Sequence, residues 1–185
     1  MVAMPTSPDL LIAPPTITDK RFTQAVIMLS HSYSGYDFGI CVNKLTRYSL
    51  QDIIDELGID TNLNFPLYWG GPVSPGTVWM LHSSEWSTEH TEEINEDWSM
   101  TSNIDMFHHL AIHDFPRQFR LMFGYCSWAR GQLESEVKGT APWNPKQSWL
   151  VAQNPGPEWL FEHPVDELWD ATTELSGQQA VATWL

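Results

Sequence analysis

The order of short apolar runs and amphipathic segments is the feature that most constrains the fold of this chain. Three runs with strand character, at residues 10–13, 25–30 and 38–43, are separated by turn-forming residues and precede the first helical segment. A doubly wound parallel sheet needs strands and helices that alternate regularly, and the chain lacks this pattern. The sequence therefore predicts an α+β fold, a single domain with a mixed, largely antiparallel β-sheet flanked by about four helices.

Two helices are predicted from capping signals that precede apolar residues at helical spacing. Ser49 and Asp52 form a capping box, and Gly58 marks the end of the first helix. The second helix is expected to start at Ser102, with Asp105 at the box position. The remaining predicted elements are strands at 66–69, 78–82, 98–101, 119–125 and 149–152, a strand-to-helix transition at 127–134, and a last helix from Pro164.

Length and composition fit one globular domain. The chain has 185 residues, of which 42% are apolar and 17% charged, and this balance excludes global disorder. No apolar stretch approaches the ~18–20 residues that span a bilayer, so no transmembrane helix is predicted. The first eight residues lack the basic and apolar regions of a signal peptide, so export by that route is not expected.

Both cysteines lie inside apolar runs. Cys41 and Cys126 have no neighbouring residues that resemble a zinc knuckle or a Cys-x-x-Cys pair. They are therefore predicted to be reduced and packed in the core as small apolar side chains. The alternative is one disulfide in an exported domain, which the absence of a signal peptide disfavours.

Basic residues are missing from the middle of the chain. No lysine or arginine occurs between Arg47 and Arg117, whereas twelve aspartates and glutamates fall in that interval, and the formal net charge is −14. Direct binding of nucleic acid or of an anionic membrane needs clustered basic residues, so neither is expected. The plain interpretation is a solvated acidic surface. The sharper one is a docking face for a basic protein partner, built from Glu85, Glu89, Glu92, Glu93, Glu96 and Asp97.

Tryptophan is unusually frequent, with ten residues in the chain. Several stand in polar contexts, which predicts that some are exposed anchors for a partner or for a homodimer interface. The alternative is that they belong to the core and its rim. The residues in question are Trp79, Trp86, Trp98, Trp143, Trp149 and Trp184.

The short motifs that would name a chemistry are missing, among them a phosphate loop, a dinucleotide fingerprint and a nucleophile elbow. The best metal candidate is Asp105, His109 and His113, which stand at i, i+4 and i+8 of a predicted helix. The distance of ~12 Å from the first to the last position is too long for one ion to contact both. No metal and no other cofactor is therefore predicted.

Several motifs, in this order, are similar to those of a known family: Gly39-Ile-Cys-Val-Asn-Lys44, Trp69-Gly-Gly-Pro-Val73, Met80-Leu-His82, Met100-Thr-Ser102 and Gly124-Tyr-Cys-Ser-Trp-Ala-Arg-Gly-Gln-Leu-Glu134. The ordered set resembles the YqgE/AlgH family of small bacterial proteins, over residues 9–177. This resemblance implies one cytoplasmic α+β domain with no established catalytic activity or obligatory cofactor.

The resemblance also implies a shared surface cleft. The signature positions of the family carry over as Asn43, Gly70, Gly71, Pro72, His82, Thr101, Ser102, Gly124, Tyr125, Trp128, Gly131, Gln132 and Glu134. One departure concerns residues 30–33, where many relatives have cysteine followed by Glu-His-Asn and this chain has Ser-His-Ser-Tyr. Any role of that thiol in the relatives is absent from this chain.

Two functions are therefore open. The first is a non-enzymatic regulatory or adaptor protein that binds a basic protein partner through an acidic, tryptophan-rich surface, with imitation of nucleic acid as a variant. The alternative is a small-molecule or nucleotide-binding protein or enzyme that uses the cleft of Gly70-Gly71, Thr101-Ser102 and the 128–134 turn. Glu134 would then be the acid or base, and Gln132 or Asn43 an orienting group. Binding is favoured over catalysis because the sequence shows no activated nucleophile.

Overall fold

A computed structural model describes residues 4–142 and 148–183, which contain ten strands and five α-helices. The strands are β1 (Leu10–Ile12), β2 (Val26–Tyr33), β3 (Tyr36–Cys41), β4 (Leu45–Ser49), β5 (Pro66–Trp69), β6 (Val73–Ser83), β7 (Thr91–Glu93), β8 (Trp98–Thr101), β9 (Phe119–Trp128) and β10 (Leu150–Ala152). The helices are α1 (Leu50–Leu57), α2 (Asp105–Ala111), α3 (Gln132–Lys138), α4 (Pro157–Glu162) and α5 (Leu168–Ala182).

The strands form one curled sheet in the order β10-β1-β2-β3-β9-β6-β8-β7, with β4 paired to β5 and β5 paired to β9. The β5–β9 pair is parallel, and the neighbouring pairs β3–β9 and β6–β9 are antiparallel. The long strand β9 pairs with two strands along one of its edges. Leu121 to Phe123 pair with β5, and Cys126 to Trp128 pair with β3. The predicted α+β class with a largely antiparallel sheet is confirmed.

Helices cover the sheet over three hydrophobic clusters. Leu160 of α4 and Leu168 of α5 share the first cluster with residues of β1, β2 and β3. The second cluster holds Leu133 of α3. Ile54 of α1 and Leu110 of α2 pack with β5, β6 and β9 in the third. Burial of these side chains is the main stabilising contribution to the fold.

The first predicted helix is confirmed in detail. Ser49 and Asp52 form the capping box, and Gly58 ends α1 in the left-handed conformation with φ +67°. The predicted start of the second helix at Ser102 is wrong, because Ser102 Oγ donates to Val78 O at 2.9 Å and α2 begins at Asp105. Asn103 Oδ1 instead accepts from the backbone N–H of Asp105 at 2.8 Å.

The end of the chain differs most from the prediction. Pro164 does not begin a helix but lies in a turn, where the backbone N–H of Glu167 donates to Pro164 O at 3.0 Å, and α5 starts at Leu168. A separate short helix, α4, begins with Pro157 in its first turn. Five α-helices lie within the described residues, which agrees with the expected number of about four. No helix in the described ranges has the length and apolar character needed to cross a membrane.

The prediction that these tryptophans escape full burial is wrong for Trp98 and Trp149. Trp98 is 1% and Trp149 5% exposed, and both belong to hydrophobic clusters. Trp79 and Trp86 are half-buried. Trp143 and Trp184 lie outside the described residues. The large aromatic surface of this protein therefore serves mainly its core and rim, as the alternative interpretation held.

Candidate functional site

Three of the signature glycines form a close crossing between two chain segments. A Cβ on Gly70 would lie 2.3 Å from Gly124 O, and a Cβ on Gly71 would lie 2.1 Å from the carbonyl carbon and oxygen of Tyr125. Gly124 has φ +68°, and its own Cβ would lie 2.4 Å from Gly71 O. These positions therefore require glycine because the backbones touch, which places β5 against the bend of β9.

A cavity of ≈ 210 Å³ lies beside this crossing, and Pro72, Trp128 and Gln132 line it. Its buried acid is Glu136 of α3, which is 6% exposed. Glu136 Oε2 accepts from the indole N–H groups of Trp128 at 2.9 Å and Trp149 at 2.8 Å. Glu136 Oε1 accepts from Gln132 Nε2 at 2.9 Å. A buried carboxylate is thus matched by three donors, which offsets its loss of water.

The expected acid of the cleft, Glu134, is elsewhere. It is exposed and pairs with Lys138 at 2.5 Å one helical turn away. Asn43 also has a structural role: its Oδ1 accepts from the backbone N–H of Val26 at 2.8 Å and its Nδ2 donates to Gln24 O at 2.8 Å. Of the polar groups predicted for the cleft, Gln132 is the one that lines the cavity.

A second group of signature residues lies on β6 and β8. His82 is fully buried, and its Nδ1 contacts Ser83 O at 2.9 Å while its Nε2 contacts Thr101 Oγ1 at 2.9 Å. Thr101 Oγ1 also bonds to Thr91 Oγ1 at 2.7 Å. The lining of the Glu136 cavity includes none of these residues. The structure therefore distributes the signature positions over several separate places instead of gathering them in one cleft.

Acidification is expected to destabilise the protein through His82. Burial lowers the pKa of His82, although the Ser83 carbonyl and the Glu85 charge oppose this. The unfolded imidazole binds a proton near pH ~6.5, whereas the folded one does so only at lower pH, so the free energy of unfolding falls as pH drops through that window. Denaturant titrations at about pH 7.5 and about pH 5.5 should show a smaller loss for His82→Gln than for the wild type.

The matched control for this measurement is His90→Gln, because His90 is exposed on the loop before β7. This variant should keep the pH dependence of the wild type. An unchanged pH dependence in His82→Gln would contradict the assignment of the effect to the buried imidazole.

Both cysteines are buried and free within the described residues. Burial raises the pKa of the Cys41 thiol to about 11, although backbone hydrogen bonds and the charge of Lys44 oppose the shift. Burial also raises the pKa of Cys126 well above its usual value, and Cys126 Sγ lies 3.4 Å from Gly70 O. The prediction of reduced, packed cysteines is confirmed for the structure, and neither thiol has the thiolate character of a nucleophile.

All six members of the predicted acidic face are exposed: Glu85, Glu89, Glu92, Glu93, Glu96 and Asp97. Glu85 accepts from the backbone N–H of Arg117 at 2.6 Å and lies 3.6 Å from its Nε. Burial raises the pKa of Glu85, but the Arg117 bond, a Ser83 bond and the Arg117 charge bring it below its ordinary value. Glu92 and Glu93 belong to β7, which ends the strand order of the sheet.

A second cavity, here called the aromatic basin, opens beside β7. It measures ≈ 380 Å³ and is lined by Tyr36, Asp37, Phe38, Trp79, Glu92, Tyr125 and Ser127. Phe38 and Tyr125 stack with ring centroids 4.6 Å apart, and Trp79 meets Phe38 edge-on at 5.4 Å. The curl of the sheet builds the basin, since His31 Nε2 of β2 reaches Glu93 O of β7 at 3.0 Å.

Among the residues that the structure describes, the wall of the basin has two carboxyl groups and no basic side chain. Asp37 Oδ1 accepts from Ser32 Oγ at 2.8 Å, and Glu92 belongs to the acidic face as well. Among the described residues, Trp79 Nε1 is the buried side-chain nitrogen that has no hydrogen-bond partner. Tyr125 is the one signature residue on its wall. The basin itself lies beyond sequence reasoning, because its residues come from four strands that are far apart in the chain.

The three residues of the metal candidate, Asp105, His109 and His113, do not share one face of a helix. Helix α2 ends at Ala111, so His113 lies past it, in the left-handed region with φ 61°. His109 Nδ1 contacts Asp114 Oδ2 at 2.7 Å, and Trp86 Nε1 donates to Asp114 Oδ1 at 2.9 Å. Within residues 4–142 and 148–183, no group of three histidine, cysteine or carboxylate side chains is placed to hold a metal ion.

The comparisons with known proteins agree with the fold. A family model described as AlgH-like matches residues 10–181. A UPF0301 protein of Jannaschia is 30% identical over 174 residues, which cover 91% of this chain and 86% of the relative. A UPF0301 protein of Methylococcus capsulatus is 30% identical over 171 residues, with 90% and 87% covered.

Two solved structures are also similar. The solution structure of the AlgH protein from Pseudomonas aeruginosa superimposes with a TM-score of 0.75 at 27% identity and covers 96% of this chain and 93% of that one. A crystal structure of a protein from Corynebacterium diphtheriae has a TM-score of 0.70 at 19% identity, with 92% and 87% covered, and supports the fold alone.

Proposed function

The chain belongs to the AlgH-like family, and we propose that it is a non-enzymatic docking protein that binds a basic segment of a protein partner. One observation carries this proposal: an aromatic cavity with two carboxyl groups opens directly on an acidic edge strand. Glu92 belongs to both features, so a partner seated on the acidic face would reach the basin.

The charge distribution supports a basic partner. The acidic face is exposed. Among the described basic side chains, Arg117 forms an ion pair with this face, at Glu85. A cluster of exposed carboxylates raises the rate at which a cationic partner meets the protein, and it repels acidic proteins. They contribute little affinity singly, because each exposed pair gives only about 0–1 kcal/mol. A tight complex therefore needs an anchor in addition to the charges.

The aromatic basin supplies this anchor, and its chemistry favours arginine. A guanidinium stacks on aromatic faces and forms a bidentate bond with a carboxylate, whereas a lysine ammonium is a strongly hydrated point charge. The wall offers the stacked rings of Phe38 and Tyr125, the half-exposed ring of Tyr36, and the carboxyl groups of Asp37 and Glu92. We expect one arginine side chain of the partner to lie in the basin.

The test measures binding of two labelled peptides of equal charge, one of alternating arginine and serine and one of alternating lysine and serine. The wild type should bind the arginine peptide more tightly. Replacing Glu89, Glu92, Glu93 and Glu96 together with glutamine should weaken both complexes about tenfold and flatten their salt dependence. Tyr36→Ser should weaken the arginine peptide about threefold or more and leave the lysine peptide nearly unchanged.

The control changes the net charge equally at another place. Glu158→Gln, Asp166→Asn, Glu167→Gln and Asp170→Asn neutralise four exposed carboxylates around α4 and α5. An equal loss of binding in this control would show unspecific attraction by net charge and would overturn the proposal. Equal affinity for both peptides, with no effect of Tyr36→Ser, would overturn the assignment of the basin.

The alternative function, binding of a small molecule or nucleotide in the cleft, rests on the Glu136 cavity. It receives less support, because both carboxylate oxygens of Glu136 already accept hydrogen bonds. Asp19, the other acid of its wall, is paired with Arg21 at 2.6 Å. The polar groups of this cavity therefore bind one another, which is the pattern of a structural network.

A further inference from the structure

A buried arginine lies in the middle of the sheet. Arg120 of β9 is 6% exposed, although it carries a full positive charge. Its guanidinium carbon lies 5.2 Å from the ring centroid of Tyr68 and 5.3 Å from that of Phe161. Its Nη1 donates to Val42 O at 2.7 Å and its Nη2 donates to Leu160 O at 3.4 Å.

The charge of Arg120 has no counter-ion in the part of the chain that the structure describes. The ion pairs there are Arg21–Asp19, His109–Asp114, Arg117–Glu85 and Lys138–Glu134. A buried charge is costly unless it is paired, and two carbonyl groups and two aromatic faces compensate only part of that cost. A guanidinium has five N–H groups, and two of those on Arg120 donate to these carbonyl groups.

The residue lines a cavity that is large enough for a ligand. The cavity measures ≈ 500 Å³ and lies between β5, β9 and the α4 end, with Phe65, Phe119 and Phe161 among its walls. Arg117 and Glu162 also line it and are exposed. Arg120 is thus the buried cation of a cavity whose wall also carries the aromatic rings of Phe65, Tyr68, Phe119 and Phe161 and the polar side chains of Gln118, Glu162 and His163. This combination is typical of sites that recognise a small organic anion.

We propose that this cavity binds a monocarboxylate carried on an aromatic or branched apolar body, with Arg120 as its charge partner. The planar fork of the guanidinium matches the two oxygens of a carboxylate, and the phenylalanine rings match the apolar body. A phosphate dianion fits less well, because it brings two charges to one buried cation and Glu162 stands on the same wall. Arg117 on the cavity wall pairs with Glu85 of the acidic face, but Arg120 and the phenylalanine rings do not belong to that face, so the test at Arg120 does not depend on the docking function.

The experiment uses the whole protein and three probes: 3-phenylpropionate, its uncharged amide and inorganic phosphate. Side-chain ¹⁵N resonances of arginine and calorimetry report binding. The acid should bind about tenfold or more tightly than the amide and should shift the Arg120 resonances. Phosphate should bind more weakly than the acid. Equal binding of the acid and the amide would overturn the proposal, and so would a preference for phosphate. Both comparisons are made on the wild-type protein.

Two variants locate the site. Arg120→Met keeps the stem and removes the charge, so it should weaken the acid about tenfold or more and leave the amide unchanged. Arg117→Met removes the exposed cation of the same cavity and should change binding less than about twofold. Arg120→Lys keeps a charge without the fork and replaces Arg120→Met if that variant does not fold. The reverse order, with Arg117→Met the more damaging, would contradict the role of Arg120.

Discussion

Alanine at position 71 is expected to prevent the domain from folding stably. Its Cβ would lie 2.1 Å from the backbone carbonyl of Tyr125 and 2.5 Å from the backbone N of Cys126, and neither atom can move without distorting β9. The backbone of Gly71 also has φ +156°, a conformation that other residues rarely adopt. We expect a loss of more than about 4 kcal/mol in the free energy of unfolding, which is a large part of the total for a small domain.

The matched control is Gly177→Ala in the middle of α5. A Cβ at Gly177 would have no heavy atom within 4 Å, and alanine favours the helix over glycine by about 0.5–1 kcal/mol. Both substitutions add the same methyl group, but only the one at Gly71 meets backbone atoms. Denaturant titration should therefore give changes of opposite sign in the free energy of unfolding. A Gly71→Ala variant with wild-type stability would show that the two segments do not cross as described.

The second large effect is expected at Glu136. Glu136→Ala would leave the indole N–H groups of Trp128 and Trp149 buried without their acceptor, together with an amide hydrogen of Gln132. Each hydrogen bond to a charged group contributes about 1.5–3 kcal/mol, and the bonds are coupled, so we expect a total loss of about 3–5 kcal/mol. Denaturant unfolding and the near-ultraviolet spectrum of the two tryptophans report this change.

Glu134→Ala is the control, since it removes a carboxylate two positions away on the same helix. Its exposed bond to Lys138 contributes about 0.5 kcal/mol or less. Glu136→Gln keeps one acceptor oxygen and should fall between the two variants. Equal effects of Glu134→Ala and Glu136→Ala would refute the proposed role of the buried carboxylate as the acceptor that joins α3 to the sheet.

Local signals predicted the elements whose structure is itself local. The capping box of Ser49 and Asp52 and the left-handed Gly58 define α1 by contacts within a few residues. The same signal failed at Ser102, because a distant carbonyl, Val78 O, accepts from its hydroxyl. The strands β4 and β7 were missed, since both are short and largely polar, and only their neighbours in the sheet make them strands.

The candidate sites also contain parts that a local sequence pattern predicts and parts that depend on residues far apart in the chain. The signature glycines were found, and the structure supplies their reason, which is the contact between two backbones. Glu136 was missed although helical spacing could have indicated it. Leu133 and Val137 mark the buried face of α3, and Glu136 lies three residues after Leu133, whereas Glu134 points away. The aromatic basin and the Arg120 cavity join residues that are far apart in sequence, so no local pattern announces them.

The burial of both cysteines has a practical consequence for spectroscopy. Cys41 and Cys126 are the two cysteines of the chain, and burial keeps both thiols protonated at neutral pH. Maleimide and iodoacetamide reagents attack the thiolate, so the native protein should remain unlabelled. A single cysteine introduced at exposed Tyr36 would then carry a fluorophore at the rim of the basin without removal of the native cysteines.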